Sequence, residues 1–130
     1  MQEMAGNQIR FGIVGCAEIA RKARKYAADN GYSDAIKVYG NYEAVLDDPS
    51  VDAVDVPLPT SLHLHWAVLA AEKKKHVLLE KPTTLHVLDL DQILRACDSN
   101  GVQFMGDTMW MHNPRTHRMR EMLSNPTLFG

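Results

Sequence analysis

The sequence has few cysteines, no long apolar run and no excess of basic residues. Its two cysteines, Cys16 and Cys97, are too few for a disulfide framework or a four-cysteine zinc site. No apolar stretch approaches the ~20 residues that a membrane-spanning helix needs. Residues 1–8 lack the basic and apolar parts of a secretory signal. We therefore expect a cytoplasmic protein that makes no contact with a membrane.

The charge balance points away from nucleic acid as a partner. Lys and Arg number 14 and Asp and Glu number 16, so the formal net charge of the 130 residues is −2, whereas nucleic-acid binding needs a basic face. Apolar residues make up 45% and charged residues 23%, which is typical of a globular domain. The length suits one domain, which we place at residues 9–130 after a flexible N-terminus at 1–8.

Short apolar runs alternate with helical patterns along the chain. The patterns predict strands at 9–14, 36–39, 51–56, 76–79 and 102–105, and helices at 17–30, 42–46, 62–74, 84–100 and 114–123. Strands that alternate with helices form mostly parallel sheets with helices on both faces. We therefore predict an α/β fold built on a mostly parallel sheet.

Residues at the ends of these helices indicate how each helix starts and stops. Gly31 and Gly101 stand where a glycine commonly ends a helix. Thr84 can cap the helix at 84–100. The run Lys73-Lys74-Lys75 is typical of a solvated helix end, because cations suit the negative end of the helix dipole.

The first predicted strand leads into a turn of the kind that binds dinucleotides. The segment Gly15-Cys16-Ala17-Glu18-Ile19-Ala20 occupies the place of a G-x-G-x-x-G/A fingerprint, after a strand and at the start of a helix. Small residues let the backbone approach a pyrophosphate, and the helix N-terminus supplies free N–H groups. Ala17 replaces the middle glycine, which weakens the pattern. The alternative is a tight strand–helix turn without a ligand.

A proline-rich loop follows the strand predicted at 51–56. It reads Pro57-Leu58-Pro59-Thr60-Ser61-Leu62-His63, and it leaves the sheet at the carboxyl end, where ligands of open α/β sheets bind. Thr60, Ser61 and His63 offer polar contacts to such a ligand. The alternatives are that Thr60 or Ser61 caps the next helix and that His63 is a surface or cap residue. The spacing of His63 and His65 is too close for one helix face, so we expect no metal site.

Two more polar segments follow strand ends. In Glu80-Lys81-Pro82, the lysine can hold a substrate oxygen or shuttle a proton, and the alternative is an exposed pair of charges. The Lys81–Pro82 bond can be cis or trans. The segment 109–115 can wall a pocket; alternatively, Trp110 is a core aromatic and Pro114 starts a helix.

Taken together, these segments resemble the N-terminal half of the Gfo/Idh/MocA oxidoreductases, which include glucose–fructose oxidoreductase and inositol dehydrogenase relatives. The resembling segments are 12–20, 57–63, 75–82 and 109–116, in the family's order. The chain is most similar to the dihydrodiol-dehydrogenase-like branch. Glu-Lys-Pro after an apolar strand is the most specific of these matches, and the resemblance extends over nearly the whole chain from Ile9.

The resemblance implies a Rossmann-like domain that binds NAD or NADP, with no preference between them. It implies three groups of cofactor-binding residues: Gly15, Cys16, Ala17, Glu18, Ile19 and Ala20 over the pyrophosphate; Pro57, Leu58, Pro59, Thr60 and His63 along the cofactor; and Glu80, Lys81, Trp110, His112 and Arg115 towards the nicotinamide. Lys81 is the catalytic residue that it implies, in contact with the reacting hydroxyl or carbonyl.

The chain departs from the family pattern in two places. The helix at 17–30 reads as the start of one family helix joined to the end of the next, so one strand–helix segment is missing. The strand predicted at 36–39 is then expected to pair beside 9–14 in the place of the missing strand. We also expect the chain to lack the C-terminal substrate domain of the family, and with it any acid or base that the domain would supply.

The implied function is cofactor binding within an oxidoreductase that acts on CH–OH groups of a small sugar, cyclitol or diol. The shortened chain is not expected to be catalytically complete by itself. The alternative is a non-enzymatic module that acts through protein contacts and binds little or no cofactor.

Overall fold

Four parallel strands form the sheet in the computed structural model, which describes residues 9–16, 18–31 and 37–129. The strands are β1 (Phe11–Ile13), β2 (Ala53–Val56), β3 (His76–Leu79) and β4 (Phe104–Gly106). They lie in the order β1-β2-β3-β4, and each neighbouring pair is parallel. The predicted parallel sheet is confirmed. The flexible N-terminus predicted at 1–8 lies outside the described residues.

Helices connect and follow these strands. They are α1 (Glu18–Asp29), α2 (Tyr42–Asp47), α3 (His63–Glu72), α4 (Val87–Asn100), α5 (Pro114–Leu123) and α6 (Pro126–Phe129), with 3₁₀ turns at Thr60–Leu62 and Met109–His112. Gly31 and Gly101 follow α1 and α4 with positive φ angles, as predicted for helix ends. The alternation of helices and strands confirms a Rossmann-like α/β fold.

One face of the sheet carries the hydrophobic core. Val54 pairs with Val77 and Val56 pairs with Leu79, and all four side chains are buried. Three helices cover them with small and aliphatic side chains: Val45 and Leu46 of α2, Ala67, Ala70 and Ala71 of α3, and Ile93 and Cys97 of α4. Each fully buried valine or leucine stabilises the fold by roughly 1.5–3 kcal/mol.

The opposite face of the sheet has a thinner cover. Phe11 and Met105 lie on this face and are 59% and 48% exposed, while Ile13 and Leu78 are half-buried. Over the described ranges, neither α1 nor α5 makes extensive contact with the sheet. The helical cover expected on both faces is therefore uneven, with the packed core on one side.

The strand predicted at 36–39 does not form over residues 37–39, and residue 36 lies outside the described ranges. Lys37 and Tyr39 instead donate hydrogen bonds to the carboxylate of Asp48, which also accepts one from the Ser50 backbone N–H. These bonds, led by the one from Lys37, hold the pKa of Asp48 well below its usual range. The segment is thus held by side chains to the turn before β2, and β1 is an edge of the described sheet.

The helix caps predicted for α3 and α4 are wrong. The N-cap of α3 is Leu62, without a side-chain cap bond, because Thr60 and Ser61 lie in the preceding 3₁₀ turn. The N-cap of α4 is His86, and the hydroxyl of Thr84 donates to the His86 carbonyl oxygen at 3.1 Å. In both places the chain makes a further turn before the helix begins.

Lys75 is buried, in contrast to the solvated helix end predicted for it. Its Nζ donates to the backbone oxygens of Asp48 and Val51, each at 2.8 Å. Because α3 ends at Glu72, Lys75 lies in the segment just before β3, and its side chain contacts the segment just before β2. Lys73 stays exposed and pairs with Asp47.

We predict that Gly12→Ala destabilises the fold by about 1–3 kcal/mol, because a Cβ at this position in β1 would lie 2.5 Å from Val45 Cγ1 in α2. Urea unfolding measures the change. Gly40→Ala is the control, since a Cβ there meets no atom within 4 Å, and its stability should stay within about 0.5 kcal/mol of the original. Equal stability of the two variants would contradict the close packing of β1 on α2.

Candidate functional site

The carboxyl ends of β1, β2 and β3 lie side by side at one edge of the sheet. Ile13 pairs with Asp55, and Asp55 pairs with Leu78, so the three strands end at nearly the same level. The turn after β1, the proline-rich loop at 57–61 and the turn at 80–84 therefore leave the sheet together. Open α/β sheets bind their ligands at this edge.

Gly15 brings the turn after β1 against the proline-rich loop. Its φ of +156° is one that residues with side chains rarely adopt. A Cβ at Gly15 would lie 3.3 Å from Pro57 Cγ and 3.5 Å from Leu58 Cδ2. The turn therefore packs closer to the loop than a residue with a side chain would allow.

The helix α1 begins directly after this turn, at Glu18. Helix N-termini carry unpaired N–H groups and the positive end of the helix dipole, which favour an anion. The negative charge of Glu18 is offset by Arg21, whose guanidinium lies 2.8 Å from its carboxylate. Cys16 is exposed and Ala20 is half-buried, whereas Ala17 and the side chain of Ile19 lie outside the described parts of the chain.

His63 joins the proline-rich loop to the turn that carries Lys81. The His63 side chain is the first of α3 and is 1% exposed. Its Nε2 lies 2.8 Å from the Leu58 carbonyl oxygen, and its Nδ1 lies 2.9 Å from the Thr83 carbonyl oxygen. His63 is therefore not a surface residue, and one side chain contacts both loops.

The turn at 80–84 is also held against the end of β4. The Asp107 N–H donates to the Leu79 carbonyl oxygen at 2.7 Å, and the Cβ position of Gly106 is 3.2 Å from Thr83 Oγ1. Within the turn, the Lys81–Pro82 bond is cis, Lys81 is exposed and Glu80 is half-buried. The three predicted segments around Gly15, the prolines and Lys81 thus converge on one edge of the sheet.

Asp55 is a member of this edge that the sequence analysis missed. Its Oδ1 is buried, with no hydrogen-bond partner in the described part of the chain. Burial, followed by the negative charges of Glu80 and Asp107, raises the pKa of Asp55 from 3.8 to about 6. The signal in the sequence was the position of this aspartate between Val54 and Val56 in a predicted strand.

Among the described residues, no hydrogen bond joins Trp110, His112 or Arg115 to the converging loops. All three are exposed, and the turn that contains Trp110 packs against α5 rather than the sheet. Trp110 is 56% exposed, so the alternative of a core aromatic is wrong, while the helix start at Pro114 is confirmed. The Asn113 side chain caps α5 by accepting from the Arg115 N–H.

Two shallow grooves lie beside this edge, one reaching Ser61 at the end of the proline-rich loop and the other reaching Glu18 at the start of α1. One, of about 380 Å³, is bordered by Leu64, His65 and Gln92 among others on α3 and α4; the second, of about 400 Å³, runs along α1 beside Arg21. Among the residues that the structure describes, no three or more His, Cys, Asp or Glu side chains are grouped as a metal site would need. In the same ranges, no helix has the length and apolar character to cross a bilayer.

A parallel sheet with a glycine turn at the start of its first helix, and with ordered loops at its carboxyl edge, defines a dinucleotide-binding domain of the Rossmann type. Residues 16–108 match the model of the Gfo/Idh/MocA oxidoreductase family, described as an NAD-binding Rossmann fold. The chain belongs to this family, and the expected resemblance is confirmed.

Two curated relatives are similar over most of this chain. D-xylose 1-dehydrogenase (NADP(+)) 2 of Haloferax volcanii is 33% identical over 88% of the chain and 42% of its own length. The dTDP-3,4-didehydro-2,6-dideoxy-alpha-D-glucose 3-reductase of Actinomadura kijaniata is 31% identical over 90% of the chain and 41% of its own length. The chain thus spans about two fifths of the length of these relatives. The similarity to oxidoreductases does not support a non-enzymatic module.

A solved structure shows the same arrangement. KijD10, a 3-ketoreductase from Actinomadura kijaniata in complex with TDP-benzene and NADP, matches with a TM-score of 0.76 at 29% identity. The match covers 90% of this chain and 43% of KijD10. An NAD(P)-binding Rossmann domain is therefore what this chain contains, and the choice between NAD and NADP stays open.

We predict that Asp55→Asn stabilises the protein at neutral pH but not at pH 4. Because the folded-state pKa is raised, the free energy of unfolding of the original chain falls as pH rises from about 4 to about 6, when the buried carboxyl must ionise. The full shift corresponds to about 3 kcal/mol, which partial exposure reduces to about 1–2 kcal/mol.

Urea unfolding at several pH values measures this difference, with Asp98→Asn on the exposed side of α4 as the control. The advantage of Asp55→Asn should grow between pH 4 and pH 7, whereas that of the control should not. An advantage independent of pH would show that the Asp55 carboxyl is not disfavoured in its charged form.

Proposed function

We propose that this chain holds NAD or NADP at the carboxyl edge of its sheet, as the cofactor-binding half of an oxidoreductase for sugars, cyclitols or diols. The observation that carries the proposal is the glycine turn at Gly15, which packs against Pro57 and Leu58 immediately before α1 begins. A strand, a tight glycine turn and a helix N-terminus in this order favour the binding of a pyrophosphate.

The described residues fit a dinucleotide. The lack of a side chain at Gly15 lets the turn after β1 lie against the proline-rich loop, and that loop is held to the Lys81 turn through His63. A bound nicotinamide supplies the hydride chemistry. The protein then has to bind the pyrophosphate, orient the ring and manage the proton at the reacting oxygen.

We assign the transfer of that proton to Lys81. It is exposed directly after the end of β3, so its ammonium can reach a substrate oxygen at the mouth of the site. In that position it can donate a hydrogen bond to a carbonyl oxygen or exchange a proton with a hydroxyl.

The substrate class follows from the relatives. The names of two similar proteins specify xylose, which carries several CH–OH groups, and a dTDP-linked 3,4-didehydro deoxy sugar, in which a 3-reductase converts a C=O group to CH–OH. We extend this class to the present chain. The match covers about two fifths of each relative, so substrate contacts made by the rest of those proteins are outside it.

A fluorescence titration with NADH and with NADPH tests the proposal. We expect micromolar binding of at least one cofactor, and Gly15→Ala should weaken it about tenfold or more, because the Cβ crowds Pro57 and the φ is unfavourable. Lys81→Ala should leave the affinity within about threefold of the original, since Lys81 acts on the substrate oxygen.

The matched control for the glycine variant is Gly40→Ala, which lies away from the loops and should bind as the original chain does. Turnover of a sugar or diol that Lys81→Ala abolishes would support a catalytic lysine. Binding of neither cofactor by the original chain would refute the proposed function.

A further inference from the structure

We propose that His63 is a positioning residue. It fastens the proline-rich loop at 57–61 to the turn at 80–84 through a ring protonated on both nitrogens. The proposal deepens the proposed function and rests on it for the identity of the ligand. It assigns His63 a role different from direct contact with the cofactor, because the ring is 1% exposed and both of its nitrogens face protein oxygens.

The two partners of His63 belong to different loops. Leu58 lies between the two prolines that follow β2, and its carbonyl oxygen is 2.8 Å from Nε2. Thr83 follows the Lys81–Pro82 bond after β3, and its carbonyl oxygen is 2.9 Å from Nδ1. Each distance is that of a good N–H···O hydrogen bond. One ring therefore bridges the segment expected along the cofactor and the segment expected at the nicotinamide.

The chemistry of the partners decides the protonation of the ring. A backbone carbonyl oxygen only accepts hydrogen bonds, so each nitrogen that bonds to one must carry a hydrogen. A neutral imidazole has a single N–H, and its other nitrogen would place a lone pair against the second carbonyl. Bridging both loops at once therefore requires the imidazolium form.

The surroundings of His63 show what stabilises the charged ring and what would follow from its loss. The ring lies at the N-terminus of α3, where the helix dipole disfavours a positive charge. The carbonyl groups of Leu58 and Thr83 must therefore stabilise the charge of the imidazolium ring. Hydrogen bonds from a charged donor are stronger than neutral ones, and buried carbonyls that lose their donor are costly. Loss of the bridge would free the Leu58 and Thr83 carbonyls together and separate the loops.

The bridge also links α3 to the position of Lys81. Thr83 is two residues beyond Lys81, and its hydroxyl packs against Gly106 at the end of β4. The turn is thus held by His63 from one side and by β4 from the other. Through this turn, His63 acts on the lysine without touching substrate.

Nitrogen-15 NMR of the original chain without cofactor tests the protonation directly and needs no variant. We expect two ring N–H signals from His63, both protected from solvent exchange, with cross-hydrogen-bond couplings or proximities to Leu58 and Thr83. A ring with one bare nitrogen would overturn the bridge. This result is independent of whether NADH or NADPH binds.

Loop order and cofactor affinity test the positioning role. In His63→Gln, a single amide group replaces the two-ended ring, so amide hydrogen exchange should accelerate at both 58–61 and 81–84. Binding of the preferred cofactor should weaken by about ten- to a hundredfold. Unchanged exchange in either loop, or an affinity within about twofold of the original, would overturn the proposal.

Two controls separate positioning from general destabilisation. His65→Gln makes the same substitution at an exposed position of α3, and Ile93→Val loosens the core at α4, away from the loops. Both should keep the original affinity. If His63→Gln fails to fold, the NMR result still decides the bridge; if the original chain binds no cofactor, the proposed function fails while the exchange rates still test the coupling of the loops.

Discussion

The parallel register of β1, β2 and β3 is the constraint on which the rest of the structure depends. Parallel pairing places Ile13, Asp55 and Leu78 at one level, so the segments that follow these strands leave at the same edge. The buried valines and leucines of one sheet face hold that register, because a shift by one residue would turn them out of the core. The candidate site therefore depends on the three segments that follow β1, β2 and β3, which this register brings together.

Different interactions then hold each loop in place. Gly15 allows the first turn to lie against Pro57 where a side chain would not fit, and His63 contacts the loops after β2 and β3 from beneath. Asp55 gives the same edge a carboxyl that is costly to ionise. A rigid aliphatic layer therefore supports an edge where polar groups are concentrated, which is the division of roles expected of a ligand-binding scaffold.

The described sheet ends at β1, beside which a further strand was predicted. Residues 37–39 do not extend the sheet beyond β1, and their side chains are held at Asp48 instead. The helix α1 is largely exposed, and Phe11 is uncovered on the thinner face of the sheet.

The sequence by itself determined the order of strands and helices, the parallel sheet and the glycine turn before α1. These features depend on local periodicity and on residues close together in the chain, such as the valines of 51–56 and the helix end at Gly101. It also determined the family, since short motifs keep their order. Only the tertiary structure decided that His63 joins Leu58 to Thr83, that Asp55 is buried without a partner and that Lys75 is buried. Those roles depend on which distant backbone groups meet each side chain, and no pattern of neighbouring residues encodes that meeting.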